Sequence, residues 1–76
     1  MSVSVDFFFS GLNVDVKHFV RRFKAIGVQD RFFLSRSDLE LIVNQLPSSR
    51  ARYKTALVVK RAKDLLQEFD DVCTTA

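Results

Sequence analysis

The sequence predicts an α+β fold that is mainly helical, in the order strand, helix, short strand, helix, long helix. Three segments repeat apolar residues at the three- and four-residue spacing of a buried helix face. An alternating segment and a short aromatic segment have the pattern of strands. The length of 76 residues allows one small domain. We expect residues 71–76 to form a mobile C-terminal tail, and the alternative fold is an all-α bundle with an extended N-terminal arm.

The composition is that of a chain that folds, with 47% apolar and 28% charged residues. It excludes collagen-like, low-complexity and wholly disordered classes. The charge-free stretches are too short to span a bilayer, and Asp6 stands where a signal peptide carries basic residues, so we expect no membrane span and no secretory signal. The single cysteine, Cys73, has no partner for an internal disulfide, which favours a cytoplasmic location.

The strands are predicted at residues 2–9 and 31–35. In the first, alternation places these apolar side chains on one face: Val3, Val5, Phe7 and Phe9. Residues of the two aromatic runs are interpreted as core or dimer contacts, namely Phe7, Phe8, Phe9, Phe32 and Phe33. The first strand needs a pairing partner, either within the chain or in a second copy, and we expect a homodimer.

The first long helix is predicted to begin at a cap on Asn13 or Asp15 and to end near Ile26. Gly27 supplies the glycine that ends a helix, and Val28 is placed for the hydrophobic contact that follows such a glycine. The buried face of this helix consists of Val16, Phe19, Val20, Phe23 and Ile26.

The second helix is predicted to begin near Asp38. Residues 37–40 have the spacing of a capping box, and Ser35 is a competing cap. The inner face consists of Leu39, Ile42, Val43 and Leu46. Pro47 disfavours helical geometry at the residue before it and ends the helix.

The third helix is predicted from about Arg50 to Phe69, with Ser48 or Ser49 as its cap. At roughly 100° per residue, one band of this helix is apolar. The band contains Ala51, Thr55, Val58, Val59, Ala62, Leu65, Leu66 and Phe69. We expect it to face the core or a second subunit.

The charges are segregated along the chain, so one region is much more positive than the net charge of +3 indicates. All twelve Lys and Arg lie between Lys17 and Lys63, and six of the nine acids lie outside that segment. Such a concentration of bases attracts phosphate groups or an acidic protein surface. The alternative interpretation is that these bases only solvate exposed helix faces.

Bases crowd the first part of the last helix and acids its end, which is the order that the helix dipole disfavours by about 0.3–1 kcal/mol per charge. Conflicts of this kind are typical of functional sites, and the start of this helix is a candidate anion pocket. The alternative is simple pairing of Asp64 with Lys60 or Arg61. The candidate nucleic-acid contacts are Lys17, Arg21, Lys24, Arg50, Arg52, Lys54 and Arg61. Tyr53 and Leu57 are candidate aromatic and apolar contacts beside them, or they close a small apolar cluster.

No catalytic set can be assembled from this sequence. As a general base His18 lacks any evident orienting carboxylate, as a metal ligand it has no partners, and no base is indicated beside Cys73. We therefore expect no enzymatic activity, no cofactor, no metal and no small-molecule substrate.

The leading hypothesis is a non-catalytic regulatory protein that binds nucleic acid, DNA or RNA, through about four to six phosphates, with a salt slope near −4 to −5. The alternative is a small regulator or inhibitor, of the kind found as accessory proteins in phages, viruses or plasmids, that docks on an acidic protein surface. A third hypothesis is a purely structural homo-oligomer.

Overall fold

The computed structural model describes residues 2–46 and 53–75, and within them it contains four helices and a two-stranded antiparallel sheet. The elements are β1 (Ser2–Ser4), α1 (Val5–Phe9), α2 (Val16–Ala25), β2 (Phe33–Ser35), α3 (Arg36–Gln45) and α4 (Tyr53–Thr75). The predicted mainly helical α+β fold is confirmed, and α1 is an element that the predicted order lacks. No helix of the described segments is long and apolar enough to cross a membrane.

The two strands pair with each other within one chain. The register places Val3 opposite Leu34 and Ser4 opposite Phe33. Leu34 is fully buried, whereas Phe33 lies on the outer face of the sheet and is 52% exposed. The pairing partner of the N-terminal strand is therefore β2 of the same chain.

The predicted strand over residues 2–9 is wrong after Ser4, because the chain turns into α1. The Ser4 side chain caps this helix by accepting a hydrogen bond from the Phe7 backbone N–H at 3.0 Å. Val5, Phe8 and Phe9 are buried, and Phe7 is exposed. Phe7 and Phe9 therefore do not share a face as the strand prediction required.

α2 begins and ends with the predicted signals. The Asp15 carboxylate accepts a hydrogen bond from the His18 N–H at 3.2 Å. Gly27 has a φ of 109°, and the Val28 N–H donates to the Phe23 carbonyl at 3.0 Å. This backbone arrangement is the glycine-terminated end that the sequence predicts, and Val28 is buried beneath it.

α3 begins two residues earlier than predicted, because Ser35 and not Ser37 is its cap. The Asp38 N–H donates to the Ser35 Oγ at 3.3 Å, and the Ser35 N–H donates to the Asp38 Oδ2 at 2.9 Å. Leu46 ends the helix in an extended conformation, as expected for a residue before proline.

α4 runs antiparallel to α3, since Arg36 at the start of α3 forms an ion pair with Asp70 near the end of α4. Within α3, Arg36 also forms an ion pair with Glu40, one turn further on. The predicted end at Phe69 is too early, because the helix continues to Thr75. The mobility of the predicted tail stays a prediction. The predicted start at Arg50 and the caps at Ser48 or Ser49 lie outside the described residues.

The core combines the inner faces of the helices and contains a group of four phenylalanine rings that contact one another. Phe8 packs edge-on against Phe9 and Phe23, with ring centroids 4.9 and 5.8 Å apart, and Phe19 completes this group. The described part of the predicted α4 band is buried, apart from the half-buried Leu66. Its buried members are Thr55, Val58, Val59, Ala62, Leu65 and Phe69. Phe7, Phe32 and Phe33 are exposed, so the interpretation as core residues is wrong for these three. The alternative, that they are dimer contacts, stays a prediction.

Candidate functional site

The outer side of α2 carries three exposed bases in a row, Lys17, Arg21 and Lys24. They are spaced i, i+4 and i+7, so they follow one another along the helix over about 10 Å. Phe19 and Phe23 occupy the opposite side and anchor α2 in the core. The three bases are therefore presented to solvent by a helix whose orientation is fixed by packing.

One flank of this basic side faces α4. The Arg22 Nη1 donates a hydrogen bond to the Thr55 Oγ1 at 3.1 Å, and the Arg22 guanidinium lies 5.6 Å from the Phe19 ring centroid. Arg22 and Lys24 lie about 160° apart around the helix axis. The basic side of α2 thus extends from Arg22, which contacts α4, around the helix to Lys24 on the opposite flank.

The opposite flank borders a cleft of about 200 Å³. The floor of the cleft is apolar and consists of Val5, Val20, Phe23, Val28 and Leu34. Its rim is polar and carries three bases, one acid and one amide, namely Arg21, Lys24, Arg31, Asp30 and Gln29. Arg31 is a member of this surface that the sequence analysis does not single out.

The loop before β2 is held by the side chain of Asp30. Its Oδ1 accepts hydrogen bonds from the backbone N–H groups of Phe32 at 2.7 Å and Phe33 at 3.1 Å. The Arg31 guanidinium stands 5.1 Å from the centroid of the Phe32 ring, which is 64% exposed. The loop therefore places the exposed Phe32 ring beside Arg31, one of the bases at the rim of the cleft.

The candidates on α4 have different surroundings. Lys54 and Tyr53 are exposed in the first described turn, with Tyr53 at 78%, and Leu57 is half-buried. Because Thr55 bonds to Arg22, this turn lies at the α4 flank of the basic side of α2. Arg50 and Arg52 lie outside the described residues, and so does the predicted anion pocket at the helix start.

Arg61 has a structural role, because its side chain bonds to the backbone of another helix. Its half-buried side chain donates hydrogen bonds from Nη1 to the carbonyl oxygens of Phe8 and Ser10, both at 3.0 Å. These two carbonyls lie at the end of α1, where backbone acceptors lack helical partners. The guanidinium thus ties α4 to α1, unlike the exposed bases of α2.

The structure brings Lys17, Arg21 and Lys24 to one surface and adds Arg31 to it. Among the described residues, none of these four side chains forms an ion pair, because the ion pairs found there belong to Arg36. Lys54 stands at the margin, next to the Arg22 contact. A surface of this kind carries an excess of positive charge that can attract phosphate groups.

In the described segments, no group of three or more His, Cys, Asp or Glu side chains could hold a metal ion. His18 is exposed, and its ring lies edge-on to Phe19 with centroids 5.5 Å apart. The side chain of Cys73 lies outside the described part of the chain.

The sequence matches no family model, and comparisons with curated proteins and with solved structures found no match.

Proposed function

We propose that this protein binds nucleic acid without catalysis, through phosphate contacts made by the outer side of α2. The observation that carries the proposal is a row of exposed bases, Lys17, Arg21 and Lys24, that form no ion pair with any described residue and lie on a helix anchored in the core. Phosphate contacts of this kind supply affinity without reading sequence. We therefore expect weak sequence preference.

The number of phosphates engaged follows from the number of bases on this surface. Arg31 extends the row at the cleft, whereas Arg61 is bonded to the end of α1. The proposed contact surface therefore includes Arg31 and excludes Arg61. With four contacts, the slope of log K against log salt is expected near −3 for a single strand and somewhat steeper for a duplex.

The test measures binding of a labelled oligonucleotide by fluorescence anisotropy over a series of salt concentrations. The double variant Arg21→Gln/Lys24→Gln removes two contacts. The slope of log K against log salt for a single strand should therefore become shallower, about −1.5. The matched control is Lys60→Gln/Lys63→Gln, which removes the same charge from exposed positions of α4.

The control variant should bind almost as well as the unmodified protein, because its two positions lie on the outer side of α4 and not on α2. Equal losses in both variants would mean that only the net charge matters and would contradict a contact surface on α2. Binding that does not respond to salt would reject phosphate contacts altogether.

The second candidate function, docking on an acidic protein as a regulator, is supported by exposed aromatic side chains. Phe7, Phe32, Phe33 and Tyr53 are each more than half exposed, and aromatic residues are frequent anchors at protein interfaces. Capture of partners from lysate with and without nuclease separates the two functions, because a protein partner survives the nuclease. The predicted homodimer stays a prediction, which sedimentation of the purified protein tests.

A further inference from the structure

We propose that the nucleic acid bound by this protein is single-stranded, and that Phe32 and Phe33 stack against its bases while α2 holds its phosphates. This inference rests on the proposed function and specifies its substrate. Stacking platforms flanked by basic side chains are the usual means by which proteins bind single strands without reading sequence.

The first support is the exposure and fixation of the two rings. Phe32 and Phe33 are 64% and 52% exposed, although burial of such rings would favour folding. The loop that carries them is fixed by the two hydrogen bonds to the Asp30 carboxylate, and Phe33 is also held by pairing with Ser4 across the sheet. The rings are therefore presented by an ordered backbone, which reduces the entropic cost of binding.

The second support is that the Phe32 ring lies beside Arg31, a base that borders the same cleft as α2. Arg21 and Lys24 border the cleft from α2, and Arg31 borders it from the loop. Arg31 in turn lies over the Phe32 ring. A strand whose phosphates follow α2 and reach Arg31 would therefore have its bases near the Phe32 ring.

The third support comes from comparing three possible occupants of the cleft, namely a second copy of the chain, a duplex and a single strand. A second copy placed across this face by a two-fold axis would oppose two identical rims, each with three bases and one acid, so like charges would outnumber opposite ones. That arrangement is repulsive. A duplex has its bases stacked internally and offers phosphates but no free base faces. A single strand offers both the negative charge and the aromatic faces.

The test compares an oligothymidylate of about 20 nucleotides with a duplex of the same length by fluorescence anisotropy. The double variant Phe32→Leu/Phe33→Leu keeps apolar bulk but removes the aromatic faces. We expect it to bind the single strand more weakly, by about 5- to 150-fold for each base that loses its stacking ring, and to bind the duplex as before.

The conservative variant Phe32→Tyr/Phe33→Tyr keeps the rings and should retain single-strand affinity. Because both positions are exposed, neither variant removes a core side chain, and circular dichroism checks that both fold. Unchanged single-strand binding by the leucine variant, with loss in Arg21→Gln/Lys24→Gln, would overturn the platform and leave the proposed function standing.

Two other results would also overturn the platform. The absence of binding to either oligonucleotide at low salt would remove the proposed function and the platform together. Self-association of the protein that disappears in the leucine variant, without single-strand binding, would assign the rings to contacts between copies.

Discussion

At the scale of single residues, Arg61 shows how one basic side chain can differ in role from its neighbours. It is the candidate whose guanidinium donates to backbone carbonyls within the fold. The sequence does not predict this difference, because the acceptors lie more than 50 residues away in the chain at the end of a helix that the alternating pattern conceals.

The first prediction concerns Arg61→Met, which keeps the aliphatic stem but removes both hydrogen bonds. We expect the free energy of unfolding in urea to fall by about 1.5–3 kcal/mol, the range for hydrogen bonds to charged groups. Oligonucleotide binding by the folded variant should change little. Lys60→Met is the control and should leave stability within about 0.5 kcal/mol of the unmodified protein. Equal stability of the two variants would contradict the structural role of Arg61.

The second prediction concerns Gly27, whose φ of 109° lies in the region that side chains disfavour. A Cβ added there would lie 3.7 Å from Leu41 Cδ1, an ordinary contact, so the cost of Gly27→Ala is conformational and not steric. We expect a loss of about 1 kcal/mol in thermal or urea unfolding. Gly27→Asn should lose less, because asparagine tolerates this conformation better. A neutral alanine variant would argue against the glycine-terminated end of α2.

At the scale of elements, the third prediction tests which serine caps α3. Ser35→Ala removes the hydroxyl that accepts from the Asp38 N–H, and we expect it to lower stability by about 0.5–2 kcal/mol. Ser37→Ala is the matched control, because Ser37 is exposed inside the first turn of α3. Measured by chemical denaturation, this control should be close to neutral. The reverse order of the two variants would restore Ser37 as the cap.

The elements whose signals are local could be predicted from the sequence. α1 was missed because its residues fit two competing patterns, that of a strand and that of a helix. Asp15 and Gly27 marked the ends of α2, and the long apolar band marked α4. Residues 2–9 satisfy the alternation of a strand, but Val5, Phe8 and Phe9 also satisfy i, i+3 and i+4 after a capping serine. Burial of Phe8 and Phe9 together against α2 decides for the helix.

The candidate site was predictable in part for the same reason. The i, i+4 and i+7 spacing of Lys17, Arg21 and Lys24 identified the outer side of α2 without the structure. The cleft and the exposed rings depend on how the loop before β2 packs against α2, which no local pattern encodes. The signal that was available is Asp30, placed two residues before the first ring, where an aspartate commonly fixes a turn.

At the scale of the whole molecule, the core is one connected cluster that draws side chains from α1, α2, α3 and α4. The fourth prediction is therefore that the protein unfolds in a single cooperative step. For 76 residues, calorimetry should give an unfolding enthalpy of about 50 kcal/mol at the midpoint. The calorimetric and van't Hoff enthalpies should agree, and a van't Hoff value well below the calorimetric one would indicate parts that unfold separately.

The shortness of the sheet has a consequence for behaviour at high concentration. β1 and β2 have three residues each, so the outer edge of either strand offers few backbone groups to an approaching chain. Edge pairing is a common origin of fibrous aggregates, and very short edges are one natural protection against it. Concentrated solutions of this protein should therefore resist amyloid-type growth through the native sheet.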